Sequence, residues 1–152
     1  MSFGVSNLGS RLLQDIKSPP LLPYQDETVR GITQEINTVG AELKARREMS
    51  GDDGRGAYEA VTLVQDGSVR RLKRALLVYH ASRCERIEAL RWSTGTVLPA
   101  AVRETLHNSE IDYFRDYCSA YSRYSDAVDV DLMAVRAAAA NLRDRPETPS
   151  PF

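Results

Sequence analysis

The chain has 152 residues, of which 42% are hydrophobic and 27% charged, with a formal net charge of −1. That composition suits one soluble globular domain with a real core, and nothing in the total charge calls for nucleic acid or an anionic membrane as partner. No apolar run approaches the roughly 18 residues that a membrane-spanning helix needs.

A first helix is expected over residues 6–17, with Leu8, Leu12, Leu13 and Ile16 as its apolar side. Ser18-Pro19-Pro20 stops it, because proline cannot donate a backbone hydrogen bond and disfavours helix in the residue before it. Leu21, Leu22, Pro23 and Tyr24 then read as an apolar extended link. A second helix starts near Asp26, a plausible cap, with Glu27 in its first turn. Val29, Ile32, Ile36, Val39 and Leu43 follow at the alternating three- and four-residue spacing of a helix-packing seam. Lys44, Arg46 and Arg47 suit the negative end of that helix.

Residues 50–56 are a loop by composition, and a helical pattern resumes from Ala57 through Tyr58, Val61 and Val64. Asp66-Gly67 is either a break or a weak turn. Residues 69–91, free of proline and glycine, make about six turns of helix closed by Trp92. Leu72, Leu76, Tyr79, Ile87 and Leu90 share one face of that helix with Arg83 in the middle of it, while Leu77, Ala81 and Cys84 widen the apolar surface sideways. A surface helix of a small monomer shows a narrower stripe, so this one is expected to be packed on two sides, by its own domain and by another chain.

Gly95 is a left-handed stop, and Val97, Leu98 and Pro99 lead a short helix to about residue 106. Residues 109–112, Ser-Glu-Ile-Asp, resemble a capping box before a helix that carries Ile111, Phe114, Cys118 and Tyr121 on one face, with Tyr113, Tyr117 and Tyr124 beside it. Residues 126–132 alternate like a short edge strand or an extended linker. Residues 134–142 favour helix by propensity, and 145–152 have the composition of a disordered tail. The expected fold is all-α, a bundle of five to six helices, with a helical domain over residues 1–125 and a linker and low-complexity tail over 126–152. The N-terminus lacks the pattern of a secretory signal, and Cys84 and Cys118 lack metal-ligand spacing, so an intracellular, soluble protein is expected.

No catalytic set emerges. His80 and His107 are far apart in sequence, and neither has an acidic partner at a telling spacing; His80, at the edge of the apolar face, reads as a core histidine. Gly51, Gly54 and Gly56 do not fit a phosphate-binding loop, and Glu85, Glu88, Asp112 and Asp116 scatter round their helices. Arg83 is the anomaly: an unpaired charge inside an apolar face loses its hydration uncompensated, so it must snorkel, cross an interface or meet a carboxylate, for which Glu110 is the candidate. Trp92 either plugs the core or anchors an interface. Arg70, Arg71, Lys73 and Arg74 are either a solvated helix end or a binding patch.

Lys73-Arg74, Arg83, Arg86-Ile87, Ala89-Leu90-Arg91-Trp92, Gly95, Val97-Leu98-Pro99, Arg103, Glu110, Phe114 and Tyr117 resemble, without a gap over residues 73–117, the Psf-one-type subunit of the GINS complex. Leu22-Pro23-Tyr24 and Asp26 resemble that subunit's entry to its second helix, so the likeness covers roughly residues 3–130. The resemblance implies a non-catalytic, cofactor-free scaffold in a hetero-tetramer with three other GINS subunits, each built from a helical A domain and a small β-rich B domain. It further implies a nuclear role in initiation and fork progression, with the MCM ring, the Cdc-forty-five protein and DNA polymerase epsilon as wider partners, no membrane, and only indirect or weak DNA contact. It makes Lys73, Arg74, Arg83, Arg86, Ile87, Leu90, Arg91, Trp92, Leu98, Pro99, Glu110 and Phe114 an assembly set.

The residues after 132 leave too little chain for a B domain, which suggests a shortened chain, an alternative product or a lineage without that module, able to assemble but impaired in helicase recruitment. Thr148-Pro149 and Ser150-Pro151 match a minimal proline-directed phosphorylation pattern of little weight. Two other readings stand beside the scaffold: an unrelated α-helical adaptor that binds a partner helix, and a helical nucleic-acid binder using residues 70–74. The second lacks a recognition-helix pattern and net positive charge.

Overall fold

A computed structural model describes residues 7–18, 20–49 and 57–143. The expected loop at 50–56, the tail at 145–152 and the phosphorylation pattern lie outside the described residues. Among the described residues six helices follow one another: α1 (Leu8–Lys17), α2 (Asp26–Met49), α3 (Ala57–Thr94), α4 (Ala100–Arg103), α5 (Asn108–Val128) and α6 (Leu132–Arg143). There is no strand among the described residues.

The 38-residue α3 is the spine. It runs straight through Gly67, so neither a break nor a turn forms there. Asp66 and Arg70 pair one turn apart at 2.8 Å, the Ser68 hydroxyl donates to the Val64 carbonyl at 2.9 Å, and Val69 and Leu72 are buried immediately beyond. Burial of that seam outweighs the roughly 1 kcal/mol that glycine costs in a helix interior.

α2 lies antiparallel to α3. Near its start the Gln25 amide donates to the Tyr79 hydroxyl at 3.0 Å, and near its end Arg46 donates to Gln65 at 2.5 Å. α1 lies along α3 with the same sense, Gly9 against Leu72 and Ala75, and the Ile16 carbonyl accepting from Arg86. One core cluster, Leu12, Ile32, Leu72 and Tyr79, joins these three helices.

At the far end Gly95 takes φ of 80°, the left-handed stop expected of it, and residues 95–107 carry the chain back along α3. α4 is a single turn rather than a helix reaching residue 106. α5 then runs beside the last turns of α3 over a second core of Ile87, Leu106, Phe114 and Cys118.

The end of α5 departs from the sequence reading. Residues 126–128 continue the helix, and Asp129 ends it in the left-handed conformation at φ of 53°. The Val130 amide donates back to the Ser125 carbonyl at 3.3 Å, and Asp131 accepts from the Met133 and Ala134 amides at 2.9 and 3.1 Å to open α6. The alternation of Val128, Val130 and Leu132 resembles a strand, but an isolated strand leaves its ladder unpaired, whereas a cap on each side satisfies those groups locally. The expected boundary at residue 125 therefore falls inside α5.

Candidate functional site

The central polar feature is Arg83, 5% exposed, in line with buried Tyr79 one turn before it and buried Ile87 one turn after. Those neighbours belong to the two different cores, so the guanidinium lies where the cores meet. Its Nε donates to Glu110 Oε1 at 2.6 Å and its Nη2 to Glu110 Oε2 at 2.9 Å, the two-pronged geometry in which planar guanidinium suits carboxylate. The remaining donors reach the Leu22 carbonyl at 2.7 Å and the Thr105 carbonyl at 3.3 Å. The Tyr24 and Tyr79 rings lie 5.4 and 5.6 Å from the guanidinium carbon. Burial works against the Arg83 charge, but hydrogen bonds to Glu110 and its charge outweigh that and hold the group above its ordinary value.

Glu110 has a second task. Its Oε2 accepts the His107 amide at 3.0 Å, and His107 Nδ1 accepts the Ser109 amide at 3.3 Å, so a capping box opens α5. The box is therefore centred on His107 and Glu110, not on Ser109 and Asp112. Glu110 is pinned by Arg83, which fixes the third helical position and places the cap three residues earlier.

Arg86 ties the other side of the link between α1 and α2. It donates to the Ile16 carbonyl, one of the orphan acceptors at the end of α1, and to the Pro20 carbonyl at 3.1 Å. The Tyr24 amide donates to the Thr105 carbonyl at 3.0 Å. The link is thus held by α3 side chains and by the turn before α5.

At the C-terminal end of α3, Arg91 is buried with its guanidinium carbon 5.6 Å from the Tyr121 ring; among the described residues its Nε has no hydrogen-bond partner. Trp92 meets Tyr121 edge-on at 4.8 Å, and Arg136 of α6 lies over the Trp92 ring at 4.5 Å. Trp92 is therefore half-buried by α5 and α6. Tyr113 donates to Glu88 at 2.6 Å, a bond that pushes the phenol up to about 12.

The two histidines, distant in sequence, both flank Tyr24, His107 at 4.9 Å and His80 at 6.1 Å between ring centres. Burial pushes His80 below its ordinary value of 6.5, with Glu110 pulling it up and Arg83 pushing it down. The unfolded chain then takes up a proton more readily than the fold does, so stability falls as pH drops below about 6.5. His80→Gln is expected to flatten that acid limb in urea melts run across pH; an unchanged limb would assign it to other groups.

The expected assembly residues divide by position. Arg83, Ile87, Arg91, Glu110 and Phe114 are buried within this chain, Arg86, Leu90, Trp92 and Leu98 are half-buried, and Lys73, Arg74 and Pro99 are exposed. Outside that set, Leu63, Val64, Leu77 and Val78 of α3 point outward, 67, 58, 70 and 43% exposed; the sequence pattern includes Val64 and Leu77 as apolar helix positions and assigns no role to Leu63 and Val78. The wheel carries their signal, since Leu77 and Leu63 lie opposite the buried Leu72 and the half-buried Leu90. Among the described residues no three of His, Cys, Asp or Glu gather as a metal site, and no helix is long and apolar enough to cross a membrane. Glu85 is exposed, Glu88 is taken by Tyr113 and Asp112 by Arg115.

Comparison with known proteins places this geometry. Residues 49–129 match the family Sld5, the GINS complex protein helical bundle domain. The DNA replication complex GINS protein PSF1 of Chaetomium globosum is 33% identical over 150 residues, covering 83% of this chain and 70% of its own length. The corresponding protein of Neurospora crassa is 30% identical over 153 residues, covering 83% and 71%. That of Xenopus laevis is 27% identical over 114 residues, covering 75% of this chain and 58% of its own length.

Proposed function

Because this chain belongs to the GINS family, as a PSF1-type subunit of the DNA replication complex, we propose that it is a non-catalytic scaffold whose long helix α3 joins the other GINS subunits in a hetero-tetramer. The observation that supports this most is the double character of α3. One face holds both cores of the chain, and outside it Leu63, Val64, Leu77 and Val78 stand in the open. Apolar side chains gathered along one outward stripe, unlike singly scattered ones, mark a surface meant for another protein.

The assembly set acts in two ways in this reading. Lys73, Arg74 and Pro99 meet neighbours directly. Arg83, Arg86, Ile87, Leu90, Arg91, Trp92, Leu98, Glu110 and Phe114 act through the shape they give to α3, α5 and the link between α1 and α2. Through the tetramer the chain serves the replicative helicase with the MCM ring and the Cdc-forty-five protein, and its coupling to DNA polymerase epsilon, at initiation and at the moving fork in the nucleus. DNA is met indirectly.

Co-expression with the three other GINS subunits tests the proposal. The chain is expected to elute with them in one peak on size exclusion. A folded chain that elutes alone, indifferent to all three, would restore the helical-adaptor reading.

A further inference from the structure

The outward face of α3 carries a repeat. Leu63-Val64, Arg70-Arg71 and Leu77-Val78 recur every seven residues, so each pair stands two turns above the last on nearly the same line of the helix. All six side chains are exposed, and Arg70 is paired at the surface with Asp66. Seven-residue spacing of apolar pairs is the pattern that a second helix reads when it lies along the first. The basic pair in the middle, with Lys73 and Arg74 one turn on, sets the charge that helix must carry.

Beside this line, α1 and α3 enclose an open groove of about 340 Å³ with Leu72 and Ala75 in its floor, Leu13 and Val78 on its walls, and Arg71 and Arg74 at its rim. At Gly9 the two helices pass in van der Waals contact: a Cβ there would stand 3.4 Å from the Ala75 Cβ. Leu13 and Val78, at 39 and 43% exposure, leave the walls apolar and uncovered. Among the described residues Arg71 is bonded only to the Ser68 hydroxyl, at 3.3 Å, and neither Lys73 nor Arg74 has a carboxylate partner. A second copy of this chain is a poor occupant, since either orientation centred on the groove sets arginine against arginine.

We propose that this groove and stripe seat an amphipathic helix from another GINS subunit, with an apolar ridge that enters between Leu13 and Val78 and carboxylates that meet Arg71 and Arg74. The proposal rests on the chain's place in the tetramer and adds the surface and the chemistry of its partner. It gives the basic cluster a role: charge complementarity sets the register and the encounter, and apolar contact beside it holds the helix.

The test is reconstitution of the tetramer from this chain and the three other subunits, in salt of about 0.15 M. Arg71→Glu with Arg74→Glu is compared with Lys44→Glu with Arg47→Glu, two exposed basic residues on α2. Both double variants alter surface positions, so each should melt alone within a few degrees of the parent. The groove variant is expected to lower recovery of the tetramer about tenfold or more and the α2 variant to leave it unchanged. Arg71→Gln with Arg74→Gln should fall between, since it removes attraction without adding repulsion. A parent chain that never joins the tetramer overturns the scaffold reading itself. A parent that joins, with the groove variant recovered equally well or the α2 variant lost equally, overturns the groove alone.

Discussion

Arg83→Ala is expected to destabilise the fold by about 3–5 kcal/mol, the range found when one partner of a buried ion pair is removed. The loss comes less from the missing attraction than from what stays behind. Glu110, 8% exposed, keeps its charge in the interior with only the His107 amide to answer it. The Leu22 carbonyl also loses its donor, the Thr105 carbonyl keeps only the Tyr24 amide, and a buried unsatisfied polar group costs about 1–3 kcal/mol. Thermal melting followed by circular dichroism should fall by on the order of 10 °C, at roughly 2–4 °C per kcal/mol for a chain of this size. Arg71→Ala, on the outward face, should stay within about 0.5 kcal/mol. Glu110→Gln keeps an acceptor for the cap but strands the arginine, so it should also destabilise. Replacing both partners with methionine should cost less than Arg83→Ala alone, because no charge is left buried. Equal losses at Arg83 and Arg71 would remove the case that the ion pair organises the fold.

Phe114→Ala should cost about 3–5 kcal/mol through the second core. Phe114 is 3% exposed, sits on α5 with Cys118 one turn on, and closes against Ile87 and Leu106. Beneath it the chain has just turned through Gly95 and α4, an irregular segment that cannot easily collapse into the space left. The urea midpoint should drop with the slope unchanged, as expected when stability alone changes. A loss below about 1 kcal/mol would mean that α5 repacks freely and that the second core is softer than its burial suggests. A stability loss at Phe114 or Arg83 should lower recovery of the GINS tetramer only as far as it lowers the folded fraction. Arg74→Glu should lower recovery without a change in melting.

Much of this arrangement is readable in the chain. Arg83 announces itself by standing where the wheel wants an apolar residue, and Glu110 is a carboxylate at the start of the next long helix, the place a charge of that sign is favoured. What the sequence hides are the acceptors that belong to the backbone. The carbonyls of Leu22, Thr105, Ile16 and Pro20 complete the work of Arg83 and Arg86, and any residue type supplies a carbonyl. The capping box is misread by two residues for a related reason: Ser109 is the commoner cap, but the pinned carboxylate of Glu110 selects His107. At Gly67 local propensity suggests an interruption, and burial on either side overrides it. At residues 126–132 the alternation is real, but a strand needs a neighbour and a helix cap does not. The outward stripe of α3 was hidden for a different reason. Periodicity shows that Leu77 is apolar, and only the packed fold shows which side of the helix is already taken.

The unbroken length of α3 sets a distance. Arg71 and Trp92 lie 21 residues apart on one continuous helix, a separation of about 32 Å at 1.5 Å per residue. A protein that touches both ends must span that gap, and a linker too short for it gains nothing from the second contact. Two proteins bound one at each end are held at a fixed spacing and angle, with no hinge between them. Lengthening α3 by a single residue would turn one end by about 100° relative to the other, so register along this helix, more than affinity at either end, decides whether two neighbours face each other.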